Sequence, residues 1–87
     1  PKDTHDSAVA FGQYLAGLSY RARFIKLADR IDNVRALLAI HDPAAVQGYL
    51  DETRSLFLPG WAEQTHAEMA GMLRVAVERA ARSLGTH

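Results

Sequence analysis

Lys26-Leu27-Ala28-Asp29-Arg30-Ile31-Asp32-Asn33-Val34-Arg35-Ala36-Leu37 decides how the chain is read. With its neighbours it places Phe24, Leu27, Ala28, Ile31, Val34 and Leu38 at the i, i+3, i+4, i+7 spacing of one buried helical stripe. The polar residues fall elsewhere. Asp29 and Asn33 are four apart and share a face one turn from each other, with Lys26 flanking that face. A carboxylate and an amide so placed suit a hard or borderline cation with a polar ligand beside it. The plainer reading is a solvated face on which Asp29 or Asp32 pairs with Arg30 or Arg35. Spacing alone favours that plainer reading.

Working outward, glycine and proline divide the chain into four expected helices, and no alternating β-branched stretch competes. The fold class expected is therefore all-α. The first helix runs from about Thr4, with Thr4 or Asp6 as cap, to Leu15, and the Gly17–Ser19 region ends it. The second runs from Tyr20 to Ile40. Asp42 then caps a third, Pro43 to Leu58, with Pro43 in the first turn where no amide hydrogen is needed. Its inner face is Val46, Tyr49, Leu50, Thr53 and Phe57. Pro59-Gly60 ends it. The fourth runs from Trp61 to Leu84 with Met69, Met72, Leu73, Val75, Ala76 and Ala80 turned inward, and Gly85 suits the left-handed position after its end. Arg74, Glu78, Arg79 and Arg82 read as a solvated charged face, and His66 and His87 carry no signal of their own.

Composition bounds the function. The 87 residues suit one small domain or a piece of a larger one, and 48% hydrophobic residues allow a modest core. Ten Lys and Arg balance ten Asp and Glu, which gives no reason to expect binding to nucleic acid or to a membrane surface. There is no Cys, hence no thiolate chemistry and no disulfide framework. No apolar run reaches the roughly 20 residues that span a bilayer, and the polar start is unlike a signal peptide. A cytoplasmic location is the expectation. The first residue is Pro1 rather than Met, which suggests a trimmed chain.

The string Lys-Leu-Ala-Asp-Arg-x-x-Asn-x-Arg-x-Leu resembles a hallmark of the HD-domain metal-dependent phosphohydrolases that act on guanosine polyphosphates, the Rel/Spo-like and small alarmone hydrolases. A second stretch, Glu52-Thr53-Arg54-Ser55-Leu56-Phe57-Leu58-Pro59, resembles that family's Glu-Thr-x-x-Ile-Tyr-x-Pro. Together they cover roughly residues 22 to 61, a little under half of the chain. The resemblance implies the rear half of an HD-domain helical bundle. It places the family's last metal ligand, an Asp, on Asp29, for a divalent ion, typically Mn²⁺, that would activate water and polarise a phosphoryl oxygen of the 3′-pyrophosphate. It places a nucleotide contact on Asn33, with Arg35 and Lys26 bordering the same substrate.

The family's upstream His and His-Asp ligands have no counterpart here. His5-Asp6 and His41-Asp42 read as chance or capping, and Asp51 stands where a basic residue often precedes the Glu-Thr pair. The expected partners are thus a guanosine polyphosphate or related nucleotide, and the missing front of the domain or further copies of the chain. The alternative is a non-catalytic helical interaction or oligomerisation module derived from such a domain. Two structural expectations follow. Asp29 and Asn33 should face outward while Leu27, Ile31, Val34 and Leu38 are buried. An apolar stretch around Phe24, Ile25, Leu27 and Ala28 should be left partly bare and promote self-association.

Overall fold

The computed structural model describes residues 4–58 and 60–85, with the side chains of 4–7 left out. Five α-helices, α1 (Thr4–Ala16), α2 (Tyr20–Ala36), α3 (Pro43–Glu52), α4 (Trp61–Thr65) and α5 (Ala67–Gly85), account for most of these residues, and no strand occurs among them. The chain is all-α, as its punctuation indicates. Among the described residues no helix is long and apolar enough to cross a membrane.

The connections follow from local chemistry. At the end of α1, Arg23 donates from Nε to the Leu18 carbonyl (3.1 Å) and from Nη2 to the Ala16 carbonyl (2.7 Å), satisfying acceptors that the helix end leaves open. Ser19 caps α2 by accepting from the Ala22 amide. Asp42 caps α3 by accepting from the Ala45 amide, and Pro43 takes the first turn, both as read from the sequence. Gly60 precedes α4 with φ +110°, a conformation open to glycine and strained for any L side chain. The expected cap of α1 and the role of Pro59 lie outside the described residues.

The core sits where α5 packs along α2, closed by α3 and α4. Leu15, Leu27, Ile31, Val34, Val46, Leu50, Phe57, Leu73 and Val77 are its large buried side chains. α1 is joined to the rest by the Trp61 indole, which donates to the Leu15 carbonyl at 3.0 Å, and by Phe11 against Phe57.

The structure departs from the sequence reading at three helix ends. The second helix stops at Ala36, and Leu37–Ala39 tighten into a 3₁₀ turn. The change to three residues per turn rotates Leu38 outward (53% exposed) and Leu37 partly inward. The third helix widens into a π turn over Thr53–Phe57. The fourth is two helices, broken at His66, whose backbone is extended (φ −165°) and whose Nδ1 accepts from the Met69 amide at 3.1 Å to start α5.

Two further readings are corrected. Gly85 continues α5 instead of taking a left-handed turn. Met72 and Val75 are exposed, because the neighbours of α5 lie over Ala70, Leu73, Ala76, Val77 and Ala80 and leave the next positions round the helix uncovered. In the bare stretch expected on α2, Phe24 and Ile25 are exposed and Ala28 is half-buried, whereas Leu27 is fully buried.

Candidate functional site

The sequence reading centres on α2, and its polar residues separate into three groups. Asp29 and Asn33 are exposed on one face, where Asn33 Nδ2 donates to Asp29 Oδ2 at 3.3 Å. Lys26, three residues before Asp29, is half-buried, with its Nζ 5.8 Å from the centre of the Tyr14 ring. Arg35 is exposed and lies elsewhere. Residues two apart on a helix do not face each other, and Arg35 lines a cavity between α2 and α5 that neither Asp29 nor Asn33 touches. Lys26, Asp29 and Asn33 therefore form one stripe, and Arg35 belongs to a different surface.

Arg30 forms the third group. Its sequence position is i+3 from Leu27 and i−4 from Val34, on the apolar stripe itself. It is 7% exposed. Its guanidinium lies 4.2 Å from the ring centres of both Tyr49 and Phe57, held between the two. Nη2 donates to Glu52 Oε1 at 2.9 Å and Nη1 to Thr53 Oγ1 at 3.2 Å. Thr53 Oγ1 in turn donates to the Tyr49 carbonyl at 2.8 Å. Among the described residues no buried side-chain nitrogen or oxygen is left without a partner. A buried guanidinium needs such a set, since removing its charge from water is costly unless its donors are matched.

The Arg30 contacts fall at the start of the π turn. Thr53 bonds back to its own helix and also receives Arg30, and the widened turn closes with the Leu58 amide donating to the Thr53 carbonyl at 3.2 Å. So the two stretches singled out in the sequence, around Asp29 and around Glu52-Thr53, are joined by one side chain. The sequence reading treated Arg30 only as a surface ion-pair partner. Its place on the apolar stripe, with an acid and a hydroxyl side by side at Glu52-Thr53, was the signal for its burial.

Other candidates have simpler roles. Asp42 is occupied as a helix cap, and His41 is exposed. The side chains of His5 and Asp6 are outside the described residues. Arg54 and Asp51 approach to 4.0 Å on the surface.

As a metal centre, the described residues offer little beyond Asp29. No group of three or more His, Asp or Glu that could hold an ion occurs among them. Asp29 is an accessible oxygen donor with a polar neighbour, which fits one ligand position of a shared site and not a whole site. Comparison of the chain with protein-family models, with curated proteins and with solved structures found no match.

Proposed function

We propose that the chain is the rear part of an HD-type metal-dependent phosphohydrolase that removes the 3′-pyrophosphate from guanosine polyphosphates or a related nucleotide phosphoester. Asp29 supplies one oxygen ligand to a divalent ion, Mn²⁺ by resemblance, whose other ligands come from outside these 87 residues. Bound there, the ion would supply an activated water and charge neutralisation at the phosphoryl group. Asn33 holds the Asp29 carboxylate by its amide and stands one turn along the same face, in place for a nucleotide contact. Lys26 adds positive charge on that side. Arg35 faces away and is left out of the catalytic assignment.

The observation that carries this reading is the link through Arg30. The two stretches that resemble the family are separated in sequence, yet Arg30, next to Asp29, is held by Glu52 and Thr53. A link of this kind fixes the rotation of α2, and hence the direction in which Asp29 points. Preorganisation of that sort is what a metal ligand requires. The alternative, a non-catalytic interaction module, is favoured by the exposed apolar residues Phe24, Ile25, Met72 and Val75.

The test is hydrolysis by the native protein purified at its natural length. Pyrophosphate release from guanosine 3′-diphosphate substrates is expected with Mn²⁺. Asp29→Ala should lower it by ~100-fold or more, the scale set by losses at metal-site residues. No hydrolysis of any guanosine polyphosphate, or activity untouched by Asp29→Ala, would contradict the reading.

A further inference from the structure

The cavity of about 310 Å³ between α2 and α5 lies on the opposite side of α2 from Asn33 and plays no part in the reading above. Its lining is Arg35 near the end of α2, Leu38 in the 3₁₀ turn that follows, and Gly71, Met72, Val75, Ala76 and Arg79 along α5. Three features of that lining call for an occupant. Leu38, Met72 and Val75 are 53%, 41% and 51% exposed, and they adjoin one another across the groove. The side chains of Arg35 and Arg79, like that of Arg21, have no hydrogen-bond, ion-pair or ring partner among the described residues, whereas those of Arg23, Arg30, Arg54, Arg74 and Arg82 do. Gly71 sits inside α5, where glycine is a poor helix former, yet a Cβ there would meet nothing within 4 Å. Packing within the chain therefore gives no reason for that glycine.

The α5 positions that line the groove are i, i+1, i+4, i+5 and i+8, a strip about 12 Å long at 1.5 Å per residue. Such a strip presents the rows into which the ridges of another helix fit, and a missing side chain at its start lets a second backbone approach closely. We propose that this groove docks an acidic amphipathic helix of a partner protein. Apolar anchors one turn apart on that helix cover Leu38, Met72 and Val75, and carboxylates beside the anchors pair with Arg35 and Arg79. The charge of the rim selects the partner: two arginines without internal counter-ions reject a basic helix and complement an acidic one. The flexible Met72 side chain adapts to the shape of the anchors. Among the exposed apolar residues outside the groove, Tyr20, Phe24 and Ile25 stand among Arg21, Arg23 and Lys26, a basic surface that does not complement the rim; Val9, Tyr14 and Ile40 are exposed as well.

The experiment uses the full 87-residue chain, labelled with ¹⁵N, and two synthetic helical peptides. One has leucines at i, i+3, i+7 and i+10 flanked by glutamates, and the other has lysines in place of the glutamates. The glutamate peptide is expected to shift the amides of Arg35–Leu38 and Gly71–Arg79 and to bind at least tenfold more tightly than the lysine peptide. The double variant Arg35→Gln/Arg79→Gln, at two exposed positions, should weaken it at least tenfold and leave the rest of the spectrum in place. Equal binding of the two peptides, shifts centred elsewhere, or affinity unchanged in the double variant would overturn the proposal. So would stronger shifts of the same amides by decanoate, which would make the cavity a small-anion site. Concentration-dependent shifts of these amides without peptide would overturn it too, by assigning the groove to a second copy of the chain.

Discussion

A guanidinium at Arg30 sits where an aliphatic side chain would be expected, sandwiched between Tyr49 and Phe57 with its donors on Glu52 and Thr53. The energetics of this arrangement are asymmetric. Glu52 is 44% exposed, so water moderates the ion pair, but the arginine end is buried. Glu52→Gln keeps a hydrogen-bond acceptor and should cost about 1–2 kcal/mol, whereas Arg30→Ala also loses the stacking and leaves a gap between two rings, for at least ~2 kcal/mol. Thr53→Val removes the hydroxyl from both of its bonds and should cost ~1 kcal/mol. Chemical denaturation of the three variants checks the order. If Arg30→Ala were as stable as the parent chain, the residue would not couple α2 to the Glu52-Thr53 turn.

Asp29 was legible in the sequence as an outward-facing residue because it lies off the apolar stripe of its own helix. Arg30 was not, because its burial depends on two rings and an acid 19 to 27 positions away in the chain, presented by α3 and the π turn that follows it. Local spacing reports which face a residue occupies. It does not report which partners wait on that face.

At the scale of the helices, Asp42 and Pro43 start α3 as read and Gly60 stands at the break read from Pro59-Gly60, whereas the cap at Ser19 was not read and the left-handed end read at Gly85 does not form. The breaks at Leu37, Thr53 and His66 did not read, because each is imposed by a contact or by a change of helix type instead of by glycine or proline. His66 has the firmest local cause. Its imidazole Nδ1 does for α5 what a serine or aspartate oxygen usually does, and its ring stands edge-on to Phe24 with centres 5.8 Å apart. His66→Ala is expected to lower stability by about 0.5–2 kcal/mol, and His66→Asn, whose side-chain oxygen can accept from the Met69 amide, to recover most of that. Gly60→Ala should cost at least about 1 kcal/mol because φ +110° strains any Cβ. Thermal melts of these variants check both values. An unchanged melting temperature for His66→Ala would mean that the α4–α5 break is fixed by the helices around it and not by the cap.

The whole molecule is thin. Its Cα envelope measures 39 × 37 × 17 Å and its radius of gyration is 13.1 Å, against about 12 Å for a compact domain of this length. At helix spacings of about 8–10 Å, a thickness of this kind accommodates roughly two layers, so several helices are covered on one side only. That geometry explains why the inward assignments of Met72 and Val75 failed, while Leu38 is turned outward by its 3₁₀ turn. The apolar stripes are wider than one thin bundle can cover. The same shape sets Asp29 and Asn33 on an open face with no further acid or imidazole cluster among the described residues.

The central claim, that Asp29 is one ligand of a shared metal site, is tested most directly by titrating Mn²⁺ into the ¹⁵N-labelled chain and following paramagnetic broadening residue by residue. Broadening should centre on Asp29 and Asn33, with an apparent Kd on the order of 1 mM or weaker, as a single carboxylate permits, and should vanish in Asp29→Ala. Broadening centred on other residues, or tight stoichiometric binding that survives Asp29→Ala, would contradict it.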